Sequence, residues 1–345
     1  MRGAGRLHRA FAGAALACCV AVLGDPAPAV AASFDCAKAA TRAERAICAS
    51  PDLAAADGEM GEAYRALRAL LPPKQRPGLA RDQQAWLQSR DRNCGYDGSA
   101  AGFAKCLLFT TGFRTKFLSA TSVTTANGTR IAPNLFHEDR AGAYRITAIY
   151  PVAESGDPAA AARFNHAAYQ IAIGSRDLKR FRTGNRPSIP NTFSESYKLV
   201  PLGHNLVSVL FRADSYSGGA HGISDRIALL FDVADGRQLG LKALLNDPAR
   251  ALPAISQLCA EKLRAKAARE GWAEMLWIDD PKMHADPLKE ISQVENWFVR
   301  PDGVDILFGE YTIGPYAIGL HACPLSDAEL APWINKDGPL AVLAK

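Results

Sequence analysis

The sequence predicts an α+β protein in which a small all-α bundle, held by disulfides, precedes an α+β domain with a largely antiparallel sheet. Up to about residue 120, alanine, leucine and charged residues recur at the spacing of amphipathic helices. Beyond that point, β-branched runs and Asp-Gly turns are typical of hairpins. The polar stretch 121–129 separates the two patterns. We therefore predict a helical domain over 32–120, a linker over 121–134 and an α+β domain over 135–345.

The start of the chain has the three parts of a secretory signal. Three arginines among the first ten residues precede an apolar run at 11–23, and Ala29-Val30-Ala31 offers the small residues that signal peptidase requires. The run is shorter than a membrane-spanning helix. We expect cleavage to remove residues 1–31 and to release a periplasmic or secreted protein without stable membrane insertion. An N-terminal anchor and lipidation at Cys18 are the alternatives, and the lipobox match is poor.

The cysteines indicate disulfides. Removal of the signal leaves an even number of them, as is usual for an exported protein. The first four alone allow three pairings, and sequence does not choose between them. We favour sequential pairing: Cys36–Cys48, Cys94–Cys106 and Cys259–Cys323. Neither a C-x-x-C motif nor paired histidines occur, so we predict no metal and no cofactor.

The charge distribution argues against one class of partner. The chain contains 40 Lys and Arg against 35 Asp and Glu. Residues 32–120 hold 13 and 9 of these, a net charge of +4, whereas residues 121–345 are close to neutral at −1. Neither part has a clustered basic run with interleaved aromatic residues, so nucleic-acid binding is not expected.

Local signals place the first helices. Thr41 and Glu44 have the spacing of a capping box, and an apolar stripe over 53–71 predicts a second helix that Pro72-Pro73 ends. Further helices are predicted around 79–87 and 103–117.

The sequence of the second domain predicts hairpins around a helix. Strands are predicted over 205–216, 226–233, 238–241, 296–299 and 304–311. Asp235-Gly236 and Pro301-Asp302-Gly303 supply turns between neighbouring strands, and residues 248–269 have a helical period.

The first domain also contains a distinctive order of residues: Phe34-Asp35-Cys36, Thr41, Glu44, Ile47-Cys48, Pro51, Leu53, Asp57, Tyr64, Gln83-x-x-Trp86, and Arg90-Asp91 before Cys94. Over about residues 33–119 this order resembles the N-terminal domain of LprI-type lysozyme inhibitors. The resemblance implies a non-enzymatic, extracytoplasmic domain that acts on lysozyme. The interval between the third and fourth cysteines is long for that family. The alternative is that these residues serve only as core and disulfide positions.

A second set of motifs lies in the other domain: Tyr216-Ser217-Gly218-Gly219-Ala220-His221-Gly222, the Asp235-Gly236 hairpin, Glu310-Tyr311 and Gly314-Pro315-Tyr316-Ala317-x-Gly319. Over roughly residues 140–330 they resemble the extracytoplasmic domain of RsiV-type anti-sigma factors, a module similar to one attached to some peptidoglycan deacetylases. The resemblance implies recognition of lysozyme by loops that meet its glycan-binding cleft. The signalling role is not implied, because no sigma-binding segment is present.

The candidate partner-binding residues are Tyr216, Ser217, Gly218, Gly219, His221, Pro315 and Tyr316. Adjacent glycines admit positive φ and allow close approach to a partner, and tyrosine is favoured at interface hot spots. The alternative is a tight turn that packs its histidine beneath the sheet.

No catalytic residue is predicted. Motifs of serine hydrolases, zinc proteases and nucleotide-binding enzymes are missing. Glu310 and Asp305 form a poor carboxylate pair, because an odd offset places them on opposite faces of one predicted strand.

Together these features predict an exported envelope protein that binds lysozyme and inhibits it by occluding its glycan cleft. The alternative is a non-catalytic cell-wall accessory protein that binds peptidoglycan. A cell-wall enzyme is a third, less favoured hypothesis.

Overall fold

A computed structural model describes residues 31–95, 98–154, 156–182, 189–280, 282–283 and 286–342. Except for Ala31, the predicted export signal lies outside the described residues, as does the lipidation alternative at Cys18. Within the described ranges a helical unit comes first and mostly antiparallel sheets follow, which confirms the predicted fold class. No helix in these ranges is long and apolar enough to cross a membrane.

The helical unit contains, within the described residues, α1 at Arg42–Ala49, α2 at Pro51–Leu70, α3 at Arg76–Cys94 and α4 at Ala100–Leu118. The predicted capping box is present: Thr41 Oγ1 accepts from the Glu44 amide, and the Glu44 carboxylate accepts from the Thr41 amide. Pro72 follows the end of α2, where proline disfavours a helical conformation in the residue before it. The ends of these helices are therefore set by local chemistry.

Disulfides join these elements in the pairing that the sequence favoured. Within the described residues they are Cys36–Cys48, Cys94–Cys106 and Cys259–Cys323. The first fixes the segment before α1 to that helix, and the second connects the end of α3 to α4. Each of these first two disulfides closes a short loop and contributes roughly 3 kcal/mol of stability in the chain-entropy description.

The larger sheet contains, within the described residues, β1 at Val123–Thr124, β2 at Arg130–Arg140, β3 at Tyr144–Ala153, β4 at Asn191–Gly203, β5 at Leu206–Tyr216, β6 at Ile223–Asp232 and β7 at Arg237–Gln238. The strands lie side by side in chain order, and every neighbouring pair is antiparallel except β3 and β4. Parallel neighbours require a crossover connection. Here it carries α5 at Pro158–Tyr169, a π-helix at Gln170–Gly174 and α6 at Lys179–Arg182. Residues 121–134 hold β1 and the beginning of β2.

Both faces of the larger sheet are covered. Thr147 of β3 donates a hydrogen bond to Asp82 of α3, so the helical unit packs on the face to which Thr147 points. Ala148 points the other way, because successive side chains alternate along a strand. Glu195 of β4 lies beside Ala148 and contacts Arg176 of the crossover segment. The crossover segment therefore covers the second face.

The smaller sheet contains, within the described residues, β8 at Trp297–Arg300, β9 at Gly303–Phe308 and β10 at His321–Ser326. The elements between and after the sheets include α7 at Leu241–Leu244, α8 at Pro248–Glu270, α9 at Pro287–Ile291 and α10 at Asp327–Leu330. The disulfide between Cys259 and Cys323 joins α8 to β10. The helix predicted over 248–269 is confirmed by α8. The strand predicted over 304–311 ends at Phe308, because Tyr311 has a φ of 61°, outside the extended region.

A buried charge network joins the helical unit to the larger sheet. The carboxylate of Asp82 contacts the Arg114 guanidinium of α4 at 2.6 Å, the Arg145 guanidinium of β3 at 3.4 Å and the Thr147 hydroxyl at 2.6 Å. Asp82 is only 2% exposed and Arg114 only 5%. Burial alone would raise the pKa of Asp82, but Arg114 and Arg145 outweigh that effect and hold it below its ordinary value. The carboxylate therefore stays charged and holds both guanidinium groups.

We predict that Asp82→Asn destabilises the protein by about 3–5 kcal/mol, because the buried Arg114 guanidinium and the partly buried Arg145 guanidinium then lose their shared counter-charge. Urea unfolding followed by circular dichroism measures the loss. Glu62→Gln is the matched control: its 2.7 Å pair with Arg65 is largely exposed, and its loss should cost less than about 1 kcal/mol. Equal midpoints for the two variants would contradict the prediction.

Candidate functional site

The loop between β5 and β6 forms the first half of the candidate site. Gly218 and Gly219 have φ values of 100° and 94°, which residues with a side chain rarely adopt. Tyr216, the last residue of β5, donates its hydroxyl proton to the Gly219 carbonyl at 3.1 Å. Residues 217–221 are exposed to solvent. The loop is thus tied to its own strand and projects from the sheet.

The segment between β9 and β10 forms the second half. The Tyr316 ring stacks on His221 with centroids 3.7 Å apart and an interplanar angle of 19°. The Tyr311 hydroxyl lies 3.2 Å from Nε2 of the same histidine. Pro315 precedes the short 3-10 turn Tyr316–Ile318. We call the surface made by Tyr216, residues 217–221, Tyr311 and Tyr316 the aromatic site.

One arginine holds this second segment at both ends. Arg226 of β6 donates through Nη2 to the carbonyl of Phe308, where β9 ends, at 3.2 Å, and to the carbonyl of His321, where β10 begins. Burial lowers the pKa of Arg226 to about 10, so it remains charged at neutral pH. In addition, the Ser224 amide donates to Glu310 Oε1 at 2.9 Å. The segment that carries Tyr311 and Tyr316 is therefore fixed to the strand that follows the glycine loop.

The structure brings the sequence-predicted candidates together from two distant parts of the chain. Tyr216, Gly219 and His221 belong to one loop, and Tyr316 reaches it from the other segment. Ser217 and Gly218 lie at the exposed tip of the loop, and Pro315 is half-buried. His221 is exposed, so the alternative in which it packs beneath the sheet does not describe its environment.

Sequence reasoning did not include Tyr311 among the candidates. The sequence pattern predicts a strand at Tyr311, whereas this residue lies in a turn, is 50% exposed and contacts His221. The signal that could have found it is its place in the Glu310-Tyr311 motif, five residues before Tyr316.

Two grooves of opposite charge flank the glycine loop. The first, of about 350 Å³, lies on the face covered by the helical unit and is lined by Arg92, Arg145, Thr192 and Tyr216, among others. We call the second the acidic groove. It measures about 360 Å³, and its wall includes Arg176, Asp177, Ile223, Asp225, Glu310 and Tyr311.

A buried carboxyl group lies beneath the acidic groove. Glu195 is fully buried, and its Oε2 accepts from Arg176 at 3.0 Å, while Arg176 also pairs with Asp225 at 2.8 Å. Burial raises the pKa of Glu195 to about 8, and the nearby Asp225 charge acts in the same direction, although Arg176 opposes both. Because Glu195 is inaccessible to solvent, it does not contact a molecule in the groove directly.

The carboxylates considered for hydrolysis do not form a working pair. Asp305 lies on β9 and contacts Arg300 at 3.2 Å, whereas Glu310 lies beyond the end of that strand and binds the Ser224 amide. The assumption that both lie on one strand is therefore wrong. Across the described ranges, no group of three or more His, Cys, Asp or Glu is placed to hold a metal ion. The aromatic site offers ring surface, exposed backbone groups and charge for contact with a partner molecule.

Comparison with protein families divides the chain. Residues 36–118 match the family described as "Lysozyme inhibitor LprI", which confirms the resemblance drawn for residues 33–119. Residues 242–321 match a family described as "Protein of unknown function (DUF3298)". The likeness of the second domain to RsiV-type domains stays a prediction. No curated protein matches the chain.

Solved structures of the second family are also similar to this chain. A member from Bacteroides fragilis NCTC 9343 is 17% identical, with a TM-score of 0.46, over 64% of this chain and 98% of that one. A family member from Pseudomonas aeruginosa PAO1 is 12% identical, with a TM-score of 0.43, over 60% of this chain and 94% of that one.

Glu195 should make stability depend on pH. Its pKa of about 8 exceeds the ordinary value of 4.5, so between these values the folded state holds a proton that the unfolded state has lost. The free energy of unfolding should therefore fall as pH rises from 5 to 9, by an amount on the order of a few kcal/mol. The side chain of the Glu195→Gln variant cannot ionise, so its free energy of unfolding should fall less over the same pH range. Urea unfolding of both proteins across this range is the measurement, and parallel curves would contradict the assignment.

Proposed function

We propose that this protein is an exported, non-catalytic inhibitor of lysozyme that blocks the glycan cleft of the enzyme with the aromatic site. The observation that carries the choice of partner is the match of residues 36–118 to the lysozyme-inhibitor family. Inhibition would be steric, since an exposed loop and its supporting tyrosines occupy the space of a sugar chain.

The geometry of the aromatic site supports its role as the contact surface. Tyr316 is 37% exposed and Tyr311 is 50% exposed, and both rings are held against His221. Side chains that are ordered before binding lose little conformational entropy on association. Tyrosine is also among the residues that carry most of the energy in protein interfaces.

Charge favours contact through the second domain. Residues 32–120 have a net charge of +4, and a basic lysozyme would be repelled by them at long range. Residues 121–345 have a net charge of −1 and contain the acidic groove. We therefore propose that the helical unit does not make the primary contact with lysozymes of this kind.

The disulfides support an extracytoplasmic location. Within the described residues all cysteines are paired, and such bonds persist in oxidising compartments. Together with the signal predicted over residues 1–31, they favour a periplasmic or secreted protein.

The direct test is lysozyme-driven clearing of a bacterial cell-wall suspension, with and without the exported, oxidised protein. Slowed clearing is expected. Unchanged clearing would contradict the proposal. If the protein then pelleted with the walls, the peptidoglycan-binding alternative would be favoured, and clearing without added lysozyme would indicate an enzyme.

We predict that Tyr316→Ala weakens inhibition by at least about 2 kcal/mol, or roughly 30-fold, because it removes both an exposed ring and the support of His221. The inhibition constant measured in the clearing assay gives the effect. Tyr169→Ala is the matched control. Tyr169 is 42% exposed, so its ring is similarly accessible, but it packs on Tyr150. Tyr150 lies six residues after Tyr144, the end of β3 that is nearer to the glycine loop.

A second substitution separates the ring from its hydroxyl group. Tyr216→Phe keeps the ring but removes the bond to the Gly219 carbonyl. If that bond holds the loop in its binding conformation, this variant also weakens inhibition. Unchanged inhibition constants for the Tyr216 and Tyr316 variants would remove the aromatic site as the contact surface.

A further inference from the structure

The acidic groove lies directly beside the aromatic site, because Tyr311 belongs to both. Among the described residues that line it, acidic side chains outnumber basic ones: Asp177, Asp225 and Glu310 face Arg176 and Arg180. Arg176 is already paired with Asp225 at 2.8 Å and with Glu195 at 3.0 Å. The balance of charge in the groove is therefore negative.

One carboxylate oxygen of the groove wall, Oε2 of Glu310, is buried without a hydrogen-bond partner in the described part of the chain. The other oxygen of Glu310 accepts from the Ser224 amide. A buried acceptor without a donor is unfavourable, and more so when it is charged. Oε2 of Glu310 thus lacks a donor that a molecule in the groove could supply.

Cross-strand register places Glu195 at the floor of the same groove. Glu195 lies opposite Ala213, and Ala213 lies opposite Asp225, so the three side chains share one face of the sheet. Ala213 and Asp225 both line the groove. A positive charge bound there would be attracted by Glu310 and Asp225, whereas Glu195 beneath them is protonated at neutral pH and adds no charge.

Part of the remaining wall is apolar. Ile223 is 53% exposed at the start of β6, and Tyr311 also lines the groove. Lysine and arginine place their aliphatic stems along such surfaces and keep the charged head in a polar environment. The groove therefore combines an apolar wall for a stem with acceptors for a head.

We propose that the acidic groove receives one cationic side chain, a lysine or an arginine, from the protein that binds the aromatic site, with its head between Glu310 and Asp225. The identity of that protein as lysozyme rests on the proposed function, whereas the chemistry of the groove does not. Occupation of the groove supplies a hydrogen-bond donor to Glu310 and fixes the orientation of the partner on the aromatic site.

A probe titration tests the groove alone. N-acetyl-arginine amide is added to the exported protein, and the NMR shift of the Ser224 amide, which is bonded to Glu310, is followed. N-acetyl-citrulline amide has nearly the same shape without the charge. We expect at least ten-fold weaker binding of the citrulline probe and loss of arginine binding in Glu310→Gln, which keeps an acceptor for Ser224. Equal binding of both probes, or unchanged binding in the variant, would overturn the inference.

Inhibition of lysozyme tests the same contact in the complex. Glu310→Gln should weaken inhibition by about 30-fold or more, because it removes one partner of a desolvated charge pair. Asp235→Asn is the charge-matched control, since Asp235 is exposed in the β6–β7 turn and pairs only with Arg237 at 3.6 Å among the described ion pairs. Thermal unfolding confirms that both variants are folded.

The outcomes separate the two proposals. If Tyr316→Ala weakens inhibition but Glu310→Gln does not, the groove inference fails and the proposed function stands. If the wild-type protein does not inhibit any lysozyme, the proposed function fails, and the arginine titration alone decides whether the groove binds a cation.

Discussion

The candidate site depends on a single guanidinium group. Arg226 joins the last carbonyl of β9 and the first carbonyl of β10 to the middle of β6. The segment that carries Tyr311 and Tyr316 is therefore attached to the larger sheet at both ends, although the strands that flank it, β9 and β10, belong to the smaller sheet. Without this connection, only the Ser224–Glu310 hydrogen bond and the contacts of His221, among the described side-chain contacts reported above, would hold the two tyrosines beside the glycine loop. The aromatic site is thus a property of the junction between the sheets.

A comparable junction organises the other side of the molecule. The network around Asp82 holds helices α3 and α4 on the face of the larger sheet opposite the crossover segment. Hydrophobic packing continues across this contact, since Leu67 and Leu79 of the helices belong to the same core as Leu135 and Ile149, which share the face of Thr147. The helical unit therefore has no separate core on this side. Its disulfides stabilise its outer part, and the sheet stabilises the rest.

Much of this arrangement could be predicted from local chemistry. The capping box at Thr41 and the helix ends follow from neighbouring residues, and the structure has them. The favoured pairing of the cysteines is confirmed as well, although the sequence alone did not choose it. The end of β9 could not be predicted: Tyr311 beyond it has a positive φ, and its hydroxyl contacts His221, 90 positions away along the chain. The same limit applies to Arg226 and Glu195, whose partners lie far away along the chain. The sequence predicted candidate contact residues, but not the hydrogen bonds of Arg226 and Glu310 that position them.

The third disulfide gives the protein a dependence on its surroundings. Cys323 lies on β10, directly after the tyrosine-bearing segment, and its bond to Cys259 holds that strand against the long helix α8. Before oxidation, β10 is retained by its pairing with β9, by the packing around it and by hydrogen bonds from Arg226 and Lys262 to its carbonyls. A newly made chain in a reducing cytoplasm would thus hold the second half of its binding surface less firmly than the first. If the protein is exported as proposed, attachment of that surface is completed only after passage across the membrane, where this disulfide forms.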